Sequence, residues 1–206
     1  MRKNVLDDYT VSDMICHSGG AVGSDTMWEL FCEMYMVKVK AYSYKTKSHK
    51  TPNKVEISEA DFIEGVDKVK KANKILGRKN IDKYMDLLAR NWAQVKYSEE
   101  IFAIGHIVKE GDKSKSGYTV NCKSPSVDGG TGYAVQMGIL AGKTVYVFDQ
   151  KKDAWYKWSY IIDNFIKLKA TPYIQSKNFA GIGTREITKT GEKAIESVFI
   201  ETFEKV

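Results

Sequence analysis

A chain of 206 residues with 43% apolar and 12% aromatic content can build one substantial α/β core over residues 1–206, which excludes a disordered chain. No stretch approaches the ~18 uninterrupted apolar residues of a membrane helix, and Met1 to Asp8 lack an apolar leader; a cytoplasmic protein with no membrane partner is expected. The net charge of +6 suits an anionic ligand, although much of it falls in solvated lysine runs.

Val11 to His17 reads as a buried strand, and Ser24 or Asp25 as the N-cap of a helix with Met27, Leu30, Phe31 and Met34 on its inner face. A strand over Val37 to Tyr42 leads into a lysine-rich loop, Tyr44 to Pro52, placed to fold over a pocket. Ser58 and Asp61 form a capping box for a helix carrying Phe62, Val66 and Val69. A second helix is predicted from about Asn80, with Ile81, Tyr84, Leu88, Trp92 and Val95 inward. Glu100 to Gly105 is a continuous apolar run, as a parallel strand buried on both faces requires.

The polar segment from Lys109 to Lys123 reads as a loop or small hairpin. Ala134, Val135, Ile139 and Leu140 then mark a short helix, and Thr144 to Phe148 a second central strand. Ala154 to Tyr160 reads as edge structure, Asn178 to Ile182 as a strand, and Thr188 or Thr190 as the cap of a final helix bearing Ala194, Ile195, Val198, Phe199 and Phe203. Strands alternating with helices predict a Rossmann-like α/β domain, a mostly parallel sheet with helices on both faces. Cys16, Cys32 and Cys122 form no Cys-x-x-Cys pair, and His17, His49 and His106 lack metal-ligand spacing, so no disulfide, metal or cofactor is expected.

Glycine-rich turns punctuate this pattern at Ser18-Gly19-Gly20-Ala21-Val22-Gly23-Ser24-Asp25, Asp128-Gly129-Gly130-Thr131-Gly132 and Gly181-Ile182-Gly183-Thr184-Arg185. Each follows a strand and precedes a helix, where backbone amides can cradle a phosphate. Arg185 adds a guanidinium fork, while Arg90 and Asn91 are candidates on helical placement. Asp25, Asp128, Glu99 and Glu100 are the candidate carboxylates, His17 is a candidate acid or base, and Trp155 is the candidate for stacking on a base.

Together the turns resemble the SLOG superfamily, the Rossmann-like group of Lonely Guy phosphoribohydrolases, DprA and YpsA-like proteins, from about Ile15 to Arg185. The unit that opens such domains lies at the C-terminal end here, similar to a circularly permuted YpsA-related branch. At the Lonely Guy motif Pro-Gly-Gly-x-Gly-Thr-x-x-Glu, Gly129, Gly130 and Gly132 are retained, whereas Gln136 replaces the glutamate. The resemblance implies a homodimer binding a phosphorylated nucleotide or ADP-ribose-type or cyclic-nucleotide signal. Its role would be receptor or sequestering protein, in antiviral defence or its viral inhibition. The expected contacts are Ser18, Gly19, Gly20, Gly23, Ser24, Asp25, Gly129, Gly130, Thr131, Gly132, Gln136, Trp155, Gly183, Thr184 and Arg185. A nucleotide N-glycosidic hydrolase using Asp25 or Asp128 is the alternative, and single-stranded DNA binding as in DprA a third reading.

Overall fold

The protein is described from a computed structural model over residues 10–46, 51–115 and 117–204. Its strands are β1 (Ile15–Ser18), β2 (Lys38–Ser43), β3 (Lys54–Glu56), β4 (Glu100–Gly105), β5 (Ile107–Val108), β6 (Ser126–Val127), β7 (Thr144–Asp149), β8 (Ala154–Ser159), β9 (Asn164–Lys167) and β10 (Asn178–Gly183). The helices are α1 (Ser24–Met34), α2 (Glu59–Leu76), α3 (Met85–Lys96), α4 (Thr131–Leu140) and α5 (Lys189–Phe203). An eight-stranded sheet runs β3-β2-β1-β10-β4-β7-β8-β9, parallel from β3 to β7 and antiparallel through β8 and β9. A small β5–β6 ribbon lies beside it.

Continuous apolar sequence in the central strands follows from burial on both faces. Phe102 and Ile104 of β4, with Phe179 of β10, pack against Trp28 of α1 and Phe199 of α5. Ile101 and Ala103, with Val145, Val147 and Ala180, pack instead against Val69, Leu88, Trp92 and Val135 from α2, α3 and α4. Side chains alternate across each strand, so one apolar run serves two helical layers. Ser58 caps α2 by accepting from the Asp61 amide at 3.1 Å, and Thr188 caps α5 by accepting from Gly191 at the same distance.

Several expected details differ. Val11 to Asp13 form a 3-10 turn, so β1 begins only at Ile15. The buried stripe of α1 runs through Trp28, Phe31 and Cys32, whereas Leu30 is 46% and Met34 64% exposed. The α1 sequence is apolar on both sides of the helix, and anchoring of Ser24 and Asp25 described below selects the Trp28 face. Residues Ile81–Tyr84 form a 3-10 turn ahead of α3, which turns Tyr84 outward. The expected edge at β8 is covered by β9. The expectation for Met1 to Asp8, and residues 47–50 of the lysine-rich loop including His49, lie outside the described residues.

The chain's order in the sheet positions a site. After β1 the crossover leads outward to β2, and after β4 it leads the opposite way to β7, with β10 between them. A crevice opens where crossovers diverge beyond the carboxyl ends of parallel strands.

Candidate anion site

The first and third turns are fastened together. Ser24 donates both its amide and its hydroxyl to the Thr184 carbonyl, at 3.0 and 2.8 Å. Asp25 completes the clasp, accepting from the Gly183 amide at 3.1 Å and from the Ala21 amide at 3.3 Å. Gly23 permits the contact: its φ is +104°, and an added Cβ would lie 2.6 Å from the Arg185 Cα. Ser18 faces inward and donates to Glu29 at 2.9 Å, and Glu29 also accepts from Thr51 and Asn53 at the far end of the lysine-rich loop.

The second turn is held from behind. Arg78 donates to the carbonyls of Val127 and Gly129, while Asp128 accepts from the Gly129 amide at 2.8 Å and the Lys115 amide at 2.6 Å. At the α4 N-terminus Gly132 and Tyr133 donate back to the Gly129 and Gly130 carbonyls at 3.2 and 3.1 Å, so the amides of Gly130 and Thr131 are the ones turned to a ligand. Lys115 then reaches the third turn, donating to Glu186 at 2.6 Å and Thr184 at 3.2 Å. All the glycine-rich turns therefore converge, though they are far apart in sequence.

Between them lies a cavity of about 260 Å³ lined by Ala21, Asp25, Leu87, Arg90, Asn91, Gln94, His106, Lys115, Asp128, Gly129, Gly130, Thr131, Gly183, Thr184, Arg185 and Glu186. Arg90 dominates its chemistry. The side chain projects from α3, is only 7% exposed, and has a long 3.5 Å contact to Gln94. Asp25 lies close to its guanidinium, but among the described residues no carboxylate makes a direct ion pair with it. Its five donors are therefore mostly open to the cavity, where an anion can accept several of them at once.

Asp25 tempers that charge without neutralising it. Burial raises its carboxyl from 3.8 to about 6, while Arg90 and the Ala21 and Gly183 amides pull the other way. Burial correspondingly pushes Arg90 down from its usual value. His106 follows β4, and burial, with Lys115 and Lys151, lowers its imidazole from the usual value; its Nδ1 lies 3.7 Å from Asp149 Oδ1, beyond hydrogen-bond reach.

Of the residues singled out in the sequence, Asp25, Asp128, Gly129, Gly130, Thr131, Gly183, Thr184 and Arg185 meet at this cavity. Ser18, Gly19, Gly20, Gly23 and Ser24 do not line it; they build the frame. Gly19 makes room for Arg90 and Asp25, into which a Cβ would intrude. Gly132 packs on the Val127 carbonyl, and Gln136 is buried on α4 away from the cavity. Trp155 must be corrected outright: it is 5% exposed, packed edge-on to Phe102 and Phe148 on the α1–α5 side of the sheet, with no ring face free for a base. His17 is also remote, hydrogen-bonded to Tyr42 at 3.0 Å, and Glu99 and Glu100 serve the opposite end of β10.

Gln94, His106, Lys115 and Glu186 were missed. A signal for the α3 group existed: Arg90, Asn91 and Gln94 are polar residues inside a helix whose positions 88–95 are all buried. Comparison of the chain with models of known families, with characterised proteins and with solved structures finds no match in any of the three.

Proposed function

We propose that the cavity binds the phosphate of a phosphorylated nucleotide or nucleotide-derived signal, and that the protein is a receptor or sequestering protein of the permuted SLOG type. The observation that carries this reading is Arg90, a buried cation that has Asp25 close by but, among the described residues, no carboxylate in direct ion-pair contact, and that lines the cavity with Arg185 and the α4 N-terminus. Binding is favoured over hydrolysis because each oxygen of Asp25 already accepts a backbone amide and Asp128 holds its own turn. Thermal shift against pyrophosphate, AMP, cyclic AMP and ADP-ribose, followed by heat release and chromatography, tests it. Stabilisation with the ligand recovered intact is the expected result. Free base or ribose phosphate would establish the N-glycosidic alternative instead, and no stabilisation by any anion would end the proposal.

The site also implies proton uptake on binding. Asp25 is ionised above about pH 6, and an anion held beside it disfavours that charge further. Sulfate, which does not titrate in this range, is expected to bind about tenfold more tightly at pH 5 than at pH 8 by calorimetry. A flat profile would show that Asp25 is not coupled to the anion. Without ligand the sign is fixed by the raised value: the contribution of Asp25 to stability declines as pH rises from 3.8 to about 6, because the folded state holds its proton more tightly.

A further inference from the structure

The 260 Å³ cavity is smaller than sites that enclose whole small molecules, and it suits little more than an anionic group. A second cavity of about 760 Å³ adjoins it and falls within the range such molecules occupy. The two share Leu87, Asp128, Gly129, Gly130 and Arg185, so a ligand anchored at Arg90 runs past the second turn into the larger space. Its floor is apolar, from Leu76 and Leu88, and its wall carries Tyr84, ahead of α3, and Tyr118, on the loop after β5. These tyrosines are 60% and 76% exposed, among the most exposed aromatic surfaces described.

Resting on the anion reading above, we propose that this groove is the subsite for the ligand's flat heteroaromatic ring, stacked on Tyr84 and Tyr118. An aromatic face binds any nucleobase, whereas Asn121 on the same wall supplies an amide able to read a base edge. The assignment also accounts for Tyr84: the 3-10 turn moves it from the inner helical face to this wall, where it has no core to fill.

The test is calorimetric titration of pyrophosphate and of ADP into wild type, Tyr84→Ala, Tyr118→Ala, Tyr118→Phe and Arg90→Met. Wild type should bind ADP more tightly than pyrophosphate. Each alanine variant should weaken ADP fivefold or more and leave pyrophosphate within twofold, while Tyr118→Phe keeps the ring and the affinity. Arg90→Met should weaken both probes. If pyrophosphate binding depends on Arg90 but ADP gains nothing from either tyrosine, the groove is not a ring subsite and the anion reading stands. Absence of Arg90-dependent binding of either probe overturns both. The two tyrosines are exposed, so their truncation leaves the fold intact.

Discussion

Arg90→Met is expected to lower affinity for a phosphate-bearing ligand about a hundredfold while leaving the ligand-free protein as stable as before, or more so. The guanidinium would contribute charge-assisted hydrogen bonds worth about 3 kcal/mol in total, and that sum corresponds to the stated loss. Methionine fills similar volume along the aliphatic part of the side chain and removes a buried cation that has no direct ion pair and one long 3.5 Å contact to Gln94. Asp25 then loses its nearby cation and takes up a proton, so no new buried charge is left behind. Thermal melting at pH 6 with and without pyrophosphate reads both halves. Unchanged pyrophosphate binding would show that Arg90 is not the anchor, and a large drop in the ligand-free midpoint would show that it is structural.

Gly23→Ala is the substitution with the largest expected effect on stability, about 3–5 kcal/mol, or roughly 10 °C in the melting midpoint. Two costs coincide there. A φ of +104° strains any L side chain, and the new methyl would occupy the position of the Arg185 backbone. Gly142→Ala is the milder comparison, since its φ of +70° is left-handed backbone that L residues enter at modest cost, as Asn80 does here at +57°, and nothing lies within 4 Å of the added methyl. It should lose only about 1–2 kcal/mol. Equal losses in the two variants would show that the first and third turns are not pressed together at Gly23. Anion affinity should fall in Gly23→Ala alone, because the clasp at Ser24 and Asp25 aligns the cavity wall.

β4 and β7 were legible because burial on both faces makes their middles apolar, and the first and third glycine turns because close approach at Gly19, Gly23, Gly181 and Gly183 leaves no room for a Cβ. The face of α1 was not legible, since Leu30 and Met34 compete with Trp28 and Phe31 in any periodicity. Trp155 misled for a related reason: an aromatic in an outer strand looks available, yet β9 extends the sheet beyond it and Phe148 covers its ring. Arg90 could be named but not oriented, because only the packing of α3 against the sheet turns it towards the cavity rather than solvent.

The central position of β10 also sets an order of events during synthesis. Ile15 pairs with Asn178, so β1 has no neighbour on its inner edge until nearly the whole described chain has left the ribosome. At typical rates of about 5–20 residues per second, that leaves β1 and β4 waiting several seconds for the strand that joins them. During that interval the chain holds two separate sheet fragments with apolar edges open to wrong partners. No nascent chain ending before Gly183 can form the cavity, so ligand capture reports that the sheet has been closed.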